Sequence, residues 1–109
     1  MGEGNDTAKY LPMTESTTYI MLSLLEPLHG YGVMQKVKQI SDGTVEVGPG
    51  TLYGAFSSLE KEGLIYKVGE EGRRKTYTLT PKGKRVLLGQ IHRLETMARA
   101  GAKHKNELR

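Results

Sequence analysis

The chain has 109 residues, a length that suits one domain with a modest core, and its lack of cysteine excludes disulfides, thiolate metal sites and cysteine nucleophiles. The net charge of +4 is unevenly distributed, because residues 1–72 hold 5 Lys/Arg and 10 Asp/Glu whereas residues 73–109 hold 11 Lys/Arg and 2 Asp/Glu. Clustered cations of this kind favour a polyanionic partner such as nucleic acid, since neutralising phosphates needs local positive charge.

Several other kinds of site are excluded by spacing. The histidines His29, His92 and His104 stand far apart without metal-ligand spacing, so no metal site is expected. Gly48-Pro49-Gly50 with Gly54 has the wrong spacing for a dinucleotide-binding loop, and proline removes a needed amide. No nucleophile–base pair or paired carboxylates are visible, so neither enzyme activity nor a cofactor is predicted. Without an apolar run of about 20 residues or a signal peptide, we expect a cytoplasmic protein that does not bind membranes.

The first helix is predicted after a disordered tail at residues 1–9. Thr14 is a suitable N-cap, and the helix should run to about Glu26, where Pro27 prevents continuation. Because Leu22 points nearly opposite to the other apolar positions, we assign it to a contact with a second subunit. Those other positions form a broad stripe at Ile20, Met21, Leu24 and Leu25.

Two further helices are predicted in succession. The first runs from about Tyr31 to Ile40, and a short strand could follow at Thr44–Val47. The second begins at Gly48-Pro49-Gly50 and extends over Thr51–Glu62. Two short helices joined by a brief connection are typical of a helix-turn-helix. The buried face of the later helix is predicted to hold Leu52, Ala55, Phe56 and Leu59.

The opposite face of that helix is small, hydroxylated or basic, which suits insertion into a DNA groove. Hydroxyls bond phosphates and bases alike, so they do not reveal a preferred sequence. Tyr53 remains open between a core position and a DNA contact, whereas Lys61 is best interpreted as a phosphate contact. The candidate DNA-binding residues of this recognition helix are Gly50, Thr51, Tyr53, Gly54, Ser57, Ser58 and Lys61.

A β-hairpin is predicted next, with arms at Leu64–Val68 and Arg73–Leu79 around a four-residue turn, Gly69–Gly72. Its second arm begins with three consecutive cations. A basic hairpin after a recognition helix is a wing, which can lie along phosphates or in a minor groove. The candidate wing contacts are therefore Arg73, Arg74 and Lys75, within a basic run that extends to Arg85.

A long helix should begin at Thr80-Pro81, a hydroxyl N-cap followed by proline, and end near Ala102. Its apolar residues recur at coiled-coil-like spacing, which predicts a dimerisation seam at Leu87, Ile91, Leu94 and Ala98. Another set of residues either lines an effector cavity or packs the dimer, and both interpretations stay open. This set contains Tyr19, Tyr31, His92 and Met97.

These elements predict a mainly α fold with a small β-hairpin wing. A winged helix-turn-helix domain is expected at residues 10–79, a dimerisation helix at 80–102 and a frayed tail at 103–109. The predicted function is transcription regulation by a homodimer bound to double-stranded DNA. Two alternatives remain, a winged-helix module whose basic face docks an acidic protein, and a ligand sensor without direct DNA recognition.

Four segments form a specific combination when found together in this order. They are His29-Gly30-Tyr31-Gly32-Val33-Met34, Gly48-Pro49-Gly50-Thr51-Leu52-Tyr53, Leu59-Glu60-Lys61-Glu62-Gly63-Leu64-Ile65 and Arg74-Lys75-Thr76-Tyr77-Thr78-Leu79-Thr80-Pro81-Lys82-Gly83. The combination resembles the PadR family of bacterial winged-helix regulators, over roughly residues 13–98.

The resemblance implies a homodimer that binds a pseudo-palindromic operator, usually as a repressor, and that a small-molecule effector often releases. It implies that Thr51, Leu52 and Tyr53 begin the recognition helix and that Arg74 and Lys75 lie on the wing. A single C-terminal helix fits the short subgroup of the family. The chain has no tryptophan, which argues against the aromatic drug sandwich known in some relatives.

Overall fold

The computed structural model describes residues 7–109, so most of the predicted tail at 1–9 lies outside the described residues. The helices are α1 (Glu15–Ser23), α2 (Gly30–Ile40), α3 (Pro49–Lys61), α4 (Pro81–Ala102) and α5 (Lys105–Leu108). The strands β1 (Ile65–Glu71) and β2 (Arg74–Leu79) pair antiparallel. This architecture confirms the predicted mainly α fold with a hairpin wing.

The hydrophobic core lies between α1, α2, α3, the base of the hairpin and the first half of α4. Thr14 and Thr80 cap α1 and α4 as predicted, since their side chains accept the amides of Thr17 and Gly83. The buried apolar residues are Ile20, Met21, Leu24, Val33, Val37, Val45, Val47, Leu52, Phe56, Leu59, Leu64, Ile65, Leu79, Val86 and Leu87.

The helix α1 ends earlier than the sequence predicts. Its last turn closes with bonds to residues three back, because the Leu24 and Leu25 amides donate to Met21 O and Leu22 O, and β2 then binds the backbone of Leu24 and Leu28. Leu24 O accepts the Leu79 amide at 3.1 Å and the Thr78 hydroxyl at 2.8 Å, and Leu28 N donates to Tyr77 O at 3.0 Å. The segment after α1 therefore runs beside the hairpin, and Leu25 of the predicted apolar stripe is 57% exposed.

No strand forms at residues 44–47, where the sequence allowed one. The backbone there is held by Ser41, whose hydroxyl accepts the Val45 amide at 3.0 Å and whose carbonyl accepts the Thr44 hydroxyl at 2.7 Å. Val45 and Val47 point into the core. The alternation of apolar and polar residues that suggested a strand therefore belongs to the connection between α2 and α3, whose two valines are buried.

The wing is longer than predicted, because its turn contains only Gly72 and Arg73. Gly72 has φ +63°, a left-handed conformation that favours glycine. Glu70 and Glu71 lie in β1, not in the turn, and face Lys75 and Arg74 across the sheet. A register shift between Lys67 and Gly69 interrupts the ladder, as a β-bulge does.

Two contacts fix the direction in which α4 leaves the domain. A Cβ on Gly83 would collide with the backbone of Leu64, so only glycine permits this close approach. One turn beyond the core, the buried side chain of Gln90 bonds to both backbone groups of Met13 and to the Thr18 hydroxyl, each at 3.1 Å. The first half of α4 is therefore attached to α1 and to the segment before it.

The second half of α4 is exposed within the described chain, from residue 92 onward. Residues 103–109, which the sequence predicts to fray, include α5, where His104 Nδ1 lies 2.6 Å from Glu107 Oε1. A side-chain contact three residues along thus supports one further helical turn.

Candidate nucleic-acid interface

The helix α3 has one buried face and one exposed face. Leu52, Phe56 and Leu59 anchor it in the core, and Gly63, with φ +76°, ends it. The Leu64 amide returns to Leu59 O at 2.9 Å, which is the Schellman arrangement expected at such a glycine. The opposite face is open to solvent along its length, at Gly50, Thr51, Gly54, Ser57, Ser58 and Lys61.

Tyr53 lies at the edge between these two faces. Its ring packs edge-on against Phe56, with centroids 6.0 Å apart, while 53% of the residue remains exposed. Its hydroxyl rests on Gly30, where a Cβ would overlap it. Tyr53 thus sets the distance between α2 and α3 and still presents a polar group at the surface.

The wing and α3 enclose an open cleft of about 520 Å³, together with the start of α2. Arg73, Arg74 and Lys75 lie at the exposed tip of the hairpin. The structure therefore brings the predicted wing cations to the same cleft as Tyr53 and Ser57. The residues that line the cleft are His29, Gly30, Tyr31, Tyr53, Phe56, Ser57, Glu60, Arg73, Arg74, Lys75 and Tyr77.

The floor of the cleft contains residues that the sequence interpretation did not assign to it. Tyr77 packs on Phe56 with ring centroids 5.0 Å apart, and burial, followed by the charge of Glu60, raises the pKa of its phenol. Glu60 makes the cleft less positive than the sequence predicts. Tyr53, Ser57 and Glu60 recur at spacings of four and three and so share one face of the helix. This spacing is the sequence signal that could have placed Glu60 beside the predicted DNA contacts.

The basic run from Arg73 to Arg85 does not form one patch. Lys82 Nζ lies 5.0 Å from the centre of the Tyr10 ring and donates to the Glu62 carbonyl at 3.2 Å. The strand β2 separates it from the wing tip, and six strand residues span about 20 Å at roughly 3.3 Å each. Only the cations at the hairpin tip line the cleft beside α3.

Outside this cleft, Glu70 forms an ion pair with another cation of the wing, Lys67. Its Oε1 lies 2.6 Å from Lys67 Nζ. The hydrogen bond and opposite charge raise the pKa of Lys67 and lower that of Glu70. Lys75, which faces Glu70 across the hairpin, also lowers the pKa of Glu70, so this carboxylate acts on both lysines of the wing.

A second open site, the α1–α4 groove, has a volume of about 340 Å³. Its apolar lining includes Tyr19, Leu22, Leu94 and Met97, drawn from the predicted dimer and effector sets. The assignment of Leu87 to a dimer seam needs correction, because this residue is 5% exposed within the core of its own chain. Beyond Leu87, the seam passes the half-buried Ile91 and is exposed at Leu94 and Ala98.

The four candidate effector residues do not share one cavity. Tyr19 and Met97 line the α1–α4 groove, whereas Tyr31 lines the cleft beside the wing. His92 is exposed, with Nδ1 3.6 Å from Glu95 Oε1, and lines neither site. These residues are far apart in sequence, and the fold places them on different surfaces of the chain.

Within residues 7–109, His, Asp and Glu side chains form no group that could hold a metal ion. Over the same residues, each helix is too short or too polar to cross a membrane.

Residues 20–88 match the sequence model of the transcriptional regulator PadR-like family. A transcriptional regulator from Clostridium thermocellum is 26% identical, covers 93% of this chain and 98% of its own, and gives a TM-score of 0.66. A PadR family transcriptional regulator from Eggerthella lenta is 27% identical, with coverages of 81% and 75% and a TM-score of 0.64. RosR from H. salinarum shares the fold at 21% identity, with coverages of 86% and 97% and a TM-score of 0.63.

Among curated proteins, an uncharacterised 37.1 kDa transposon protein of Streptomyces fradiae is 36% identical over 72 residues. This match covers 66% of the present chain but only 20% of the longer protein. The present chain therefore spans about a fifth of that relative's length.

Proposed function

Because the chain belongs to the PadR-like family of transcriptional regulators, we propose that it binds a specific double-stranded DNA sequence as a homodimer and represses transcription there. The observation that carries the proposal is the cleft in which α3 and the cationic wing tip meet. A helix with a small polar face suits the major groove, while clustered cations suit the adjacent phosphates.

The proposed reading surface is the exposed face of α3. Apart from the adjacent residues and the backbone of its own helix, a Cβ on Gly50 or Gly54 would meet no atom within 4 Å, so these positions leave open space for close approach to DNA. Thr51, Tyr53, Ser57 and Ser58 then supply hydroxyls for bases or phosphates, and Lys61 supplies a phosphate contact. Arg73, Arg74 and Lys75 hold the neighbouring backbone or minor groove.

The second copy is proposed to pack on the α1–α4 groove. Leu94 and Met97 are 40% and 59% exposed, a large apolar surface for one helix, and Leu22 borders it. Ile91 and Ala98 extend the same seam along α4. A two-fold dimer presents its recognition helices about 34 Å apart, which matches a pseudo-palindromic operator with half-sites one helical turn apart.

The groove also supports a second role, binding of a small-molecule effector that releases DNA. Its lining combines Tyr19, Leu22 and Met97 with the charged side chains of Glu15 and Arg93. A thermal-shift screen with aromatic acids and antibiotics tests this role. Stabilisation that is lost on Met97→Ala supports a ligand in the groove, whereas silence across the panel leaves the groove as packing surface.

Selection of bound sequences from a random duplex library tests the main proposal. We expect enrichment of a pseudo-palindrome that the protein then binds in gel shifts against random competitor. Failure to enrich any sequence would contradict sequence-specific binding. Capture of an acidic protein in place of DNA would support the interaction-module alternative.

A further inference from the structure

The imidazole of His29 has a defined proton arrangement, because one of its nitrogens caps α2. The Gly32 amide donates to His29 Nδ1 at 3.3 Å. A nitrogen that accepts this bond carries no proton, so in the neutral ring the proton lies on Nε2. His29 therefore presents Nε2–H toward the cleft as a hydrogen-bond donor.

The group that faces this nitrogen is also a donor. Arg74 Nη1 lies 3.5 Å from His29 Nε2, and a guanidinium has no acceptor. Neither group can satisfy the other while the cap is intact. Two donors that converge in an open cleft are complementary to a third group that accepts from both.

We infer that His29 and Arg74 together form a clamp for one phosphate oxyanion, supplied by the DNA backbone. Two nitrogens 3.5 Å apart can each lie about 2.9 Å from a single phosphate oxygen, and a charged acceptor gives the strongest bonds of this type. Because DNA is taken as the partner, this role rests on the proposed function.

The surroundings of the pair favour an anion. The N-terminal end of α2, beside His29, carries the positive end of the helix dipole. Arg73 and Lys75 line the same cleft, and Tyr31 is 59% exposed at its edge. Glu60 is the acidic member of the lining and belongs to α3, while Glu71 faces Arg74 across the hairpin outside that lining.

His29→Asn tests the clamp without removing the cap. Asparagine is a good N-cap residue, so its side-chain oxygen can still accept the Gly32 amide, but it is too short to replace Nε2–H beside Arg74. With the duplex selected from the random library, we expect affinity to fall about tenfold at constant salt. Thr14→Ala, which removes the cap of α1 instead, should lower the melting temperature and leave DNA affinity unchanged.

Salt dependence distinguishes the two members of the clamp. Arg74→Ala should reduce the salt slope by about one per half-site, because it removes a cation paired with phosphate. His29→Asn should leave the slope unchanged, since an imidazole that accepts the Gly32 amide on Nδ1 and donates from Nε2 carries no net charge. The double variant should bind only slightly more weakly than Arg74→Ala, because both residues hold one phosphate.

A scan with single methylphosphonates identifies the phosphate. In the wild-type complex, one position in each half-site should lose about tenfold in affinity when its charge is removed, and His29→Asn should reduce that loss. Inorganic phosphate at roughly 10 mM should displace no more of the duplex than chloride does at the same ionic strength.

The outcomes separate this inference from the proposed function. If the wild type binds its selected duplex and His29→Asn binds equally well, the clamp is wrong and DNA recognition stands. If no duplex is bound, both are wrong. Specific displacement by inorganic phosphate, with no sensitive methylphosphonate position, would assign the pair to free phosphate and overturn the DNA-backbone role.

Discussion

The cleft beside the wing and the α1–α4 groove are both open, but their linings have opposite chemistry. The cleft contains the cations of the wing tip and several hydroxyls, with Glu60 as its acid. The groove is lined mainly by apolar side chains such as Leu22, Leu94 and Met97. The first suits a polyanion and the second suits another apolar surface, so the proposed DNA and the proposed second copy would occupy different surfaces.

The two sites are joined through the core rather than through a shared surface. The first half of α4 is buried through Val86 and Leu87, and Gln90 ties it to the segment before α1. The start of α2 borders the cleft, and α1 borders the groove. Substitutions in one site should therefore leave the other site's binding intact unless they disturb this core, which the following predictions test.

The largest effect is expected from removing the wing cations. Simultaneous Arg73→Ala, Arg74→Ala and Lys75→Ala should weaken DNA binding about a thousandfold per half-site, because about 1.5 kcal/mol is lost with each charged contact. Gel shifts over a salt series measure both affinity and slope. The matched control is Lys36→Ala, Lys38→Ala and Lys103→Ala, and equal losses in the two proteins would remove the wing from the site. Sedimentation should show that dimerisation is unaffected in both.

Leu94→Asp should act on the α1–α4 groove and not on the cleft. A carboxylate placed in the apolar groove would be desolvated without a partner in a dimer, so dimerisation should weaken about a hundredfold. Analytical ultracentrifugation measures this change. Leu25→Asp, at an apolar side chain that is 57% exposed outside the groove, is the control. A dimer of unchanged stability in Leu94→Asp would contradict the assignment of the groove to the second copy.

Gly30→Ala should disturb only the cleft, through packing. The added Cβ would overlap the Tyr53 hydroxyl and force that ring away from Phe56. This displacement should lower the free energy of unfolding by about 1–3 kcal/mol. Chemical denaturation measures this loss. Gly101→Ala, in an open part of α4, should instead stabilise by up to about 1 kcal/mol. Destabilisation by both substitutions would indicate a general intolerance of larger residues.

The smallest effect is expected from Glu60→Gln, which removes the acid of the cleft. Affinity for random duplex should rise about two- to threefold at low salt, because an exposed charge contributes little free energy. Fluorescence anisotropy with random-sequence DNA measures the change. Glu46→Gln, outside the cleft, should show no such increase. An unchanged affinity in Glu60→Gln would mean that its charge is screened from the bound phosphates.

Local chemistry allowed much of the fold to be predicted. Thr80-Pro81 indicated the start of α4, and the spacing of Leu52, Phe56 and Leu59 indicated the buried face of α3. The predicted end of α1 was wrong, because the backbone after this helix is held by a strand more than 50 residues later, which donates to the Leu24 carbonyl. Such long-range hydrogen bonds leave no periodic pattern in the local sequence.

The candidate site was predicted in the same uneven way. The exposed face of α3 and the three wing cations could be identified because each is local. Their meeting with His29 and Tyr77 could not, because it depends on how the hairpin packs beside the start of α2. The fold also separates the four residues of the predicted effector set within one chain, since Tyr31 and His92 lie away from the groove of Tyr19 and Met97.

The attachment of Gln90 to Met13 gives α4 a fixed phase as well as a fixed direction. Beyond that point, each inserted residue would turn the following helix by about 100° and advance it by about 1.5 Å. In a dimer built on α4, a one-residue insertion after Gln90 would rotate Leu94 and Met97 away from their partner. We therefore expect the protein to tolerate length changes there only in multiples that restore the helical phase, such as seven residues for two turns.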